Sequence, residues 1–366
     1  MASFEKRGKK WRAVVSYTDA RGLRQKTSKT FDLKKAATAW ASETETKVNG
    51  GLDINAGNIS FPDYYMQWIN TYKRDLVRES TFKNYISRHR EITKLFSNAP
   101  LNKLTTSYIQ KQINLYGKTH SKGYVGLFLS TIKSSLKDAM IDGLIDRDIY
   151  SRLKTVGQDT EKFENYLSAS DFKTLQTWLY QNKELMLKDN LYLAILIALE
   201  TGARYGEIKA LCSDDFEFDS CTMSINKSYS RISRKDTEPK NKFSIRIISI
   251  TEQLSNLVKW YITTENTDIL FKSEHHNDRI LKKMKFLSNE LGIAMIKFHG
   301  LRHSHVSYLL HNHVDISYIS KRVGHANISV TLSTYSHMLK EKEEEQEKLT
   351  LETLNINEVP NSPQKP

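Results

Sequence analysis

The sequence predicts a multidomain, mainly α-helical α+β protein with small β-sheets, and three observations carry that prediction. The chain has 366 residues, which at roughly 150 residues per domain makes two to three domains. Apolar residues recur at helical spacing through 59–153 and through most of the chain beyond 165. Strand-like patterns are confined to the head and to 221–250. The expected units are 1–55, a small sheet with one helix; 59–153, helical; 165–345, mostly helical with a hairpin or sheet; and 346–366, a disordered tail.

In the head, residues 11–17 read as a strand, 19–22 (Asp-Ala-Arg-Gly) as a turn, and 23–30 as a return strand with basic residues interleaved. From Asp32 the pattern turns helical, with Leu33, Ala36, Ala37, Trp40 and Thr44 on one face and Gly50-Gly51 as the stop. The next unit opens on an aromatic-rich helix (Phe61, Tyr64, Tyr65, Trp68), followed by helices at 81–96, 105–116 and 125–143. Its aromatic stripe suits a core better than a base-stacking platform. Residues 158–165 read as a polar linker, and Ser168 with Asp171 as a helix start in the style of a capping box. An apolar helix at 191–200, a hairpin-like stretch at 221–250 and further helices complete the third unit. From Lys340 onward there are four Lys/Arg against seven Asp/Glu, with a Pro/Asn-rich end.

Charge narrows the function. Lys plus Arg is 55 and Asp plus Glu is 42, a net +13, which points to a polyanionic partner because neutralising phosphates releases counterions. Residues 1–51 hold twelve Lys/Arg against five Asp/Glu, so +7 of the +13 sits there. Their basic strands are a surface for DNA, with Arg12, Arg24 and Lys26 as the candidate contacts; a solvated charged face is the alternative. No apolar leader, no run near the ~20 residues that span a bilayer and no basic amphipathic anchor is present, so a cytoplasmic location without membrane contact is expected. Cys212 and Cys221 fit neither a disulfide framework nor a redox motif.

Four motifs in the last 170 or so residues carry chemistry. Thr201-Gly-Ala-Arg204-Tyr-Gly-Glu207 places an Arg on a turn after a helix, with a carboxylate three residues on; a structural ion pair would share this pattern. Glu238-Pro-Lys240 puts a Lys at a hairpin tip, with Lys242 its nearest rival. His299-Gly-Leu-Arg302-His303 presents imidazole and guanidinium on one helix face. A zinc reading of His299, His303 and His305 is disfavoured, since position 300 is Gly where a zincin has Glu. Val323-Gly-His325 is followed ten residues later by Tyr335.

Together and in this order, these residues resemble the tyrosine recombinase family of the phage-integrase type. Arg302 to His325 is 23 residues and His325 to Tyr335 is 10, the family's spacing. The resemblance extends forward: 1–51 looks like an arm-binding domain, a three-stranded sheet with one helix, and 59–153 like a helical core-binding domain. It implies that Tyr335 attacks a DNA phosphodiester, leaving a 3′-phosphotyrosyl link and a free 5′-hydroxyl. Arg204 and Arg302 would bind the non-bridging oxygens, with His299 as the candidate base and Lys240 as the general acid. His325 would donate to the phosphate and Glu207 would brace the cluster.

Fixed guanidiniums suit a transition state that gathers negative charge on phosphate oxygens. Unaided ionisation of a phenol at pH 7 costs about 4 kcal/mol, so Tyr335 needs that help. No cofactor, metal or nucleotide is expected, because bond energy is kept in the phosphotyrosine. The implied function is integration and excision of a phage or other mobile element in a bacterial host. The expected partners are core and arm sites in double-stranded DNA and a homotetramer on that DNA, with a host DNA-bending protein and an excision factor as candidate accessory partners. A type IB-like topoisomerase and a catalytically idle DNA-binding regulator are the alternatives. The segment 339–349 is either a contact with a neighbouring subunit or a solvated helix.

Overall fold

A computed structural model describes residues 2–18, 22–49, 58–159, 164–238, 242–271, 276–332, 335 and 343–354. It divides into two compact units, Met1–Lys162 and Phe163–Pro366. The architecture is mostly helical with small antiparallel sheets, the class expected from the periodicities.

At the head, β1 (Ala2–Arg7), β2 (Lys10–Thr18) and β3 (Arg24–Phe31) form an antiparallel sheet in that order. Side chains alternate faces along a strand, so Ala13, Val15 and Tyr17 go inward. Arg12 stands opposite Thr30, Ser16 opposite Lys26 and Thr18 opposite Arg24. Arg12, Lys26 and Arg24 therefore share the other face. Helix α1 (Lys34–Asn49) closes the core with Ala37, Ala41 and Thr44. Leu33, expected on that face, is 69% exposed because it precedes the first helical turn, and Ala36 is exposed as well. Of the expected turn only Gly22 is described, at φ +79°; the Gly50-Gly51 stop lies outside the described residues.

A second, separate apolar core in the same unit is built by α2 (Phe61–Tyr72), α3 (Glu79–Phe96), α4 (Thr106–Gly117) and α5 (Lys122–Ile141). Ser60, Thr105 and Ser121 cap three of these helices by accepting from the amides of Asp63, Tyr108 and Tyr124. Phe61, Tyr65 and Trp68 are buried, so the aromatic stripe is core. The start of the expected linker is not free: the Gln158 carbonyl accepts from the Lys122 amide at 3.0 Å, and its side chain donates to Lys118 O at 2.7 Å.

In the second unit α6 (Ala169–Gln181) starts at Ser168, which accepts from the Asp171 amide. It is followed by α7 (Leu185–Lys188) and α8 (Leu191–Thr201), the latter buried along its whole length. The hairpin-like stretch resolves into two ladders. β4 (Phe216–Glu217), β5 (Thr222–Ile225) and β8 (Arg246–Ser249) form one sheet, and β6 (Ser228–Ser230) pairs with β7 (Lys235–Thr237) within it in sequence. The short α9 (Tyr205–Lys209) links α8 to this region. Helices α10 (Glu252–Glu265), α11 (Asn277–Leu291), α12 (Phe298–His311) and α13 (Ile316–Val323) follow.

At the end of the chain α14 runs Glu343–Leu354, where Glu, Gln, Lys and Leu are strong helix formers. This agrees with the helix offered for 339–349 and makes the first nine residues of the expected disordered tail helical, while 355–366 lie outside the described residues. Among the described residues no helix is long and apolar enough to cross a membrane.

Candidate active site

The site is assembled from four helix ends in the second unit. Helix α8 stops at Gly202, which takes φ +65° with its amide donating to Ala198 O. A Cβ there would sit 2.9 Å from the His305 ring. The turn delivers Arg204 as N-cap of α9. Glu207 in its first turn accepts from the Arg204 amide at 2.9 Å and from Arg204 Nη1 at 2.7 Å. The expected pair is thus formed, and it aims the guanidinium: Arg204 is 37% exposed, Glu207 only 4%.

Helix α12 carries the third motif, and its 3.6-residue period puts His299, Arg302 and His303 together. Arg302 is 4% exposed. Its Nη1 donates to Gly202 O at 2.8 Å, while its Nη2 is buried without a hydrogen-bond partner among the described residues. Burial first, and the charge of Arg204 next, push Arg302 down to about 9, still charged at pH 7. A buried, half-satisfied guanidinium nitrogen is costly unless an anion meets it.

Helix α13 ends at Gly324 (φ +72°), and Arg204 Nη2 reaches Gly324 O at 3.4 Å. His325 follows, its Nδ1 2.7 Å from Thr331 Oγ1. Tyr335 lies 3% exposed among Val306, Leu310, Ile319 and Val323. Its Oη is 2.7 Å from His303 Nδ1. The histidine touching Tyr335 is therefore His303 and not His299, the base expected from sequence. His299 stacks edge-on against His303 with ring centroids 5.0 Å apart. Both belong to one motif, but periodicity cannot say which of two residues one turn apart faces a partner 32 positions downstream.

The cluster holds its imidazoles neutral. Loss of surrounding water, then the charges of His303, Arg302 and Arg204, bring His299 down to about 4. Burial and Arg302 lower His303. Burial, Arg302 and Arg204 bring His325 to about 4. Burial drives the Tyr335 phenol well above its ordinary value, with Arg302 pulling the other way. Burial would also raise Glu207, but Arg246 and Arg204 hold it below the usual carboxylate range.

Arg246, which the motifs did not single out, is the second cation on Glu207, with Nη2 at 3.0 Å from Oε2. His305 points away from the cluster: its Nδ1 is 3.0 Å from Leu199 O and its Nε2 accepts from Arg322 Nε at 3.2 Å. Among the described residues no three His, Cys, Asp or Glu side chains gather as a metal site. Lys240 lies outside the described residues. In the first unit, Arg24 and Lys26 are exposed and Arg12 donates to Ser28 Oγ at 2.9 Å. A cleft of about 530 Å³ lined by Tyr205, Tyr229, Arg231, Lys297, Phe298 and His299 opens beside the cluster.

Comparison with known proteins gives matches along most of the chain. Residues 164–342 match the phage integrase family, 60–115 its N-terminal SAM-like domain, and 3–48 an arm DNA-binding domain. A "Tyrosine recombinase XerC-like" protein of Caldanaerobacter subterraneus is 24% identical over 361 residues, covering 88% of this chain and 89% of the relative. The "Integrase" of Staphylococcus phage L54a is 25% identical over 337 residues, covering 82% and 95%. Among solved structures, the Tn1549 transposon integrase in complex with transposon right end DNA superposes with TM-score 0.65 at 17% identity, covering 78% of this chain and 99% of the other. A lambda integrase dimer bound to a COC' core site gives TM-score 0.57 at 16% identity, covering 91% and 93%.

Proposed function

The chain belongs to the phage integrase family of tyrosine recombinases, and from that premise we propose that Tyr335 is the nucleophile with which it cuts and rejoins DNA at specific sites. One observation carries the assignment of the site: Arg302 keeps a buried Nη2 without a partner in the same cluster that holds Tyr335 on His303. A phosphodiester oxygen is the acceptor that this nitrogen lacks. Arg204, near enough for its charge to act on Arg302, is the second guanidinium for the charge that develops on the non-bridging oxygens.

The step follows from these placements. In its neutral Nε2–H tautomer His303 accepts the Tyr335 proton at Nδ1. The phenolate oxygen forms a bond to phosphorus and the P–O5′ bond breaks, leaving DNA joined through its 3′-phosphate to Tyr335. The departing 5′-oxygen takes a proton, for which Lys240 is our candidate donor. His325 donates to a phosphate oxygen, and His299 lines the approach beside His303. Reversal by a 5′-hydroxyl of another strand restores a phosphodiester, so no external energy source is needed.

Three separate jobs fit the three matched segments. We assign 1–55 to arm sites, with Arg12, Arg24 and Lys26 against phosphates, 59–153 to core sites, and 165–345 to cleavage. Exchange of two duplexes calls for four active sites, hence a homotetramer on DNA in the bacterial cytoplasm. Integration and excision of a mobile element suit an enzyme that holds two kinds of site at once, and host DNA-bending and excision factors fit the same scheme.

The direct test uses nicked attachment-site duplex from the element that encodes the protein. Wild type is expected to accumulate a covalent protein–DNA adduct, and Tyr335→Phe to bind the duplex without forming one. An adduct with Tyr335→Phe would remove the nucleophile assignment.

A further inference from the structure

We propose that Arg246 is a positioning residue of the cleavage step, holding Arg204 and the Gly324–His325 turn in one fixed arrangement. The inference rests on the recombinase reading above and adds a residue to it. Arg246 is only 7% exposed, so it does not present its charge to a DNA backbone. Its contacts instead tie three elements together. Nη2 and Nη1 meet Glu207 Oε2 and Oε1 at 3.0 and 3.4 Å, in the first turn of α9. Nε donates to Arg322 O at 2.7 Å, at the end of α13. Nη1 donates to Ser244 O at 2.8 Å, in the residues that lead into β8.

The glycine of the Gly-His motif has its explanation in the same contact. A Cβ on Gly324 would lie 2.9 Å from Arg246 Nη1 and 3.0 Å from Phe243 O, and the residue sits at φ +72°. Position 324 must be left-handed to end α13 and bare to admit the guanidinium. The Gly324 carbonyl in turn accepts from Arg204 Nη2 at 3.4 Å. Arg246 thereby stands behind both groups that flank the phosphate position, Arg204 through Glu207 and His325 through the turn.

Charge gives the arrangement its direction. Glu207 is 4% exposed and shared by two guanidiniums. With Arg246 in place, the carboxylate is anchored from inside and Arg204 is left facing outward. Without it, Arg204 is the sole partner of a buried anion and is drawn inward, away from substrate. A lysine cannot replace it, because one ammonium on a flexible stem does not span Glu207 and the Arg322 carbonyl as a planar fork does. A shift of the catalytic cation by roughly 1 Å costs on the order of a hundredfold in rate.

The experiment compares full-length wild type, Arg246→Gln and Arg246→Lys in single-turnover cleavage of the nicked attachment-site duplex, over a range of DNA concentrations. Arg246→Gln is expected to lower the cleavage rate constant at saturating DNA about a hundredfold, with half-saturating DNA changed by less than about threefold. Arg246→Lys is expected to fall between it and wild type. Glu207→Gln combined with Arg246→Gln should be no slower than the slower single variant, since both act through one contact. Cleavage by Arg246→Gln within about threefold of wild type, or a loss confined to DNA affinity, would overturn the proposal. If Arg246→Gln shows no cooperative melting, Arg246→Lys decides on the same two readouts, and a wild-type rate constant there sinks it. An adduct formed by Tyr335→Phe would strike the recombinase reading itself. Cleavage that needs Tyr335 but ignores Arg246 would remove only the present inference.

Discussion

A hydrogen bond of 2.7 Å between His303 and Tyr335 makes one imidazole, not its neighbour a turn earlier, the proton acceptor of the scheme. His303→Gln is expected to slow adduct formation about a hundredfold or more, whereas His299→Gln leaves the phenol its partner and should slow it less. The pH dependence has a defined sign. Burial and Arg302 depress His303 below its ordinary 6.5, so the base form persists on the acid side of neutrality. The acid limb of wild-type cleavage should therefore lie below pH 6.5, with the rate falling as pH drops through the depressed value. His303→Gln should lose that limb, as a pH–rate profile on nicked duplex would reveal. Most of the cluster was legible at this scale. Arg204 with Glu207, Arg302, His325 and Tyr335 stand in short motifs whose spacing sets their side of a helix, and the structure brings them together. Arg246 was not legible, because its partners lie 39 and 76 positions away and nothing local in a β-strand distinguishes a buried Arg from a surface one.

Helix ends, more than helix bodies, build this site. Gly202, the Arg204–Glu207 cap and Gly324 are each a terminus. The first two were readable because terminal residues obey local rules of φ and capping, while the end of α13 at Gly324 was not read. Gly202→Ala tests how much rests on one terminus. Its φ of +65° and the His305 ring 2.9 Å from a built Cβ predict a loss of about 2 kcal/mol or more in urea unfolding. A parallel loss of cleavage is expected, since Gly202 O holds Arg302. Elements defined by long-range pairing were less legible. The 221–250 stretch looked like one hairpin, yet β5 pairs with β8 across the inserted β6–β7 ladder, and such nesting leaves no trace in period-two alternation. Helix α14 was legible only in part. Its Glu-rich start reads as a helix, but its continuation to Leu354 runs into a segment followed by prolines at 360, 363 and 366, which carries the composition of a disordered tail.

Across the whole molecule, the +7 concentrated in 51 residues predicts a division of labour that salt can expose. Removing residues 1–51 should spare adduct formation on core-site duplex while impairing integration into a complete attachment site. Replacing Arg12, Arg24 and Lys26 together by Gln in the full chain should flatten the dependence of log affinity on log salt for arm-site DNA by about 2.7, at roughly 0.9 for each. An unchanged slope in a filter or anisotropy titration would take these three off the DNA. The alternation of the head sheet has a consequence of its own. In a ladder with period two, sliding β3 by one residue against β2 exchanges the faces, and Arg24 and Lys26 would turn toward α1. What opposes the slide is Phe31 of β3, packed on Trp40 against the small core of Ala13, Val15 and Ala41, side chains buried where no DNA reaches them. The aim of the charges is therefore set by residues that carry none, and enlarging one alanine should misdirect DNA contact without altering a single basic residue.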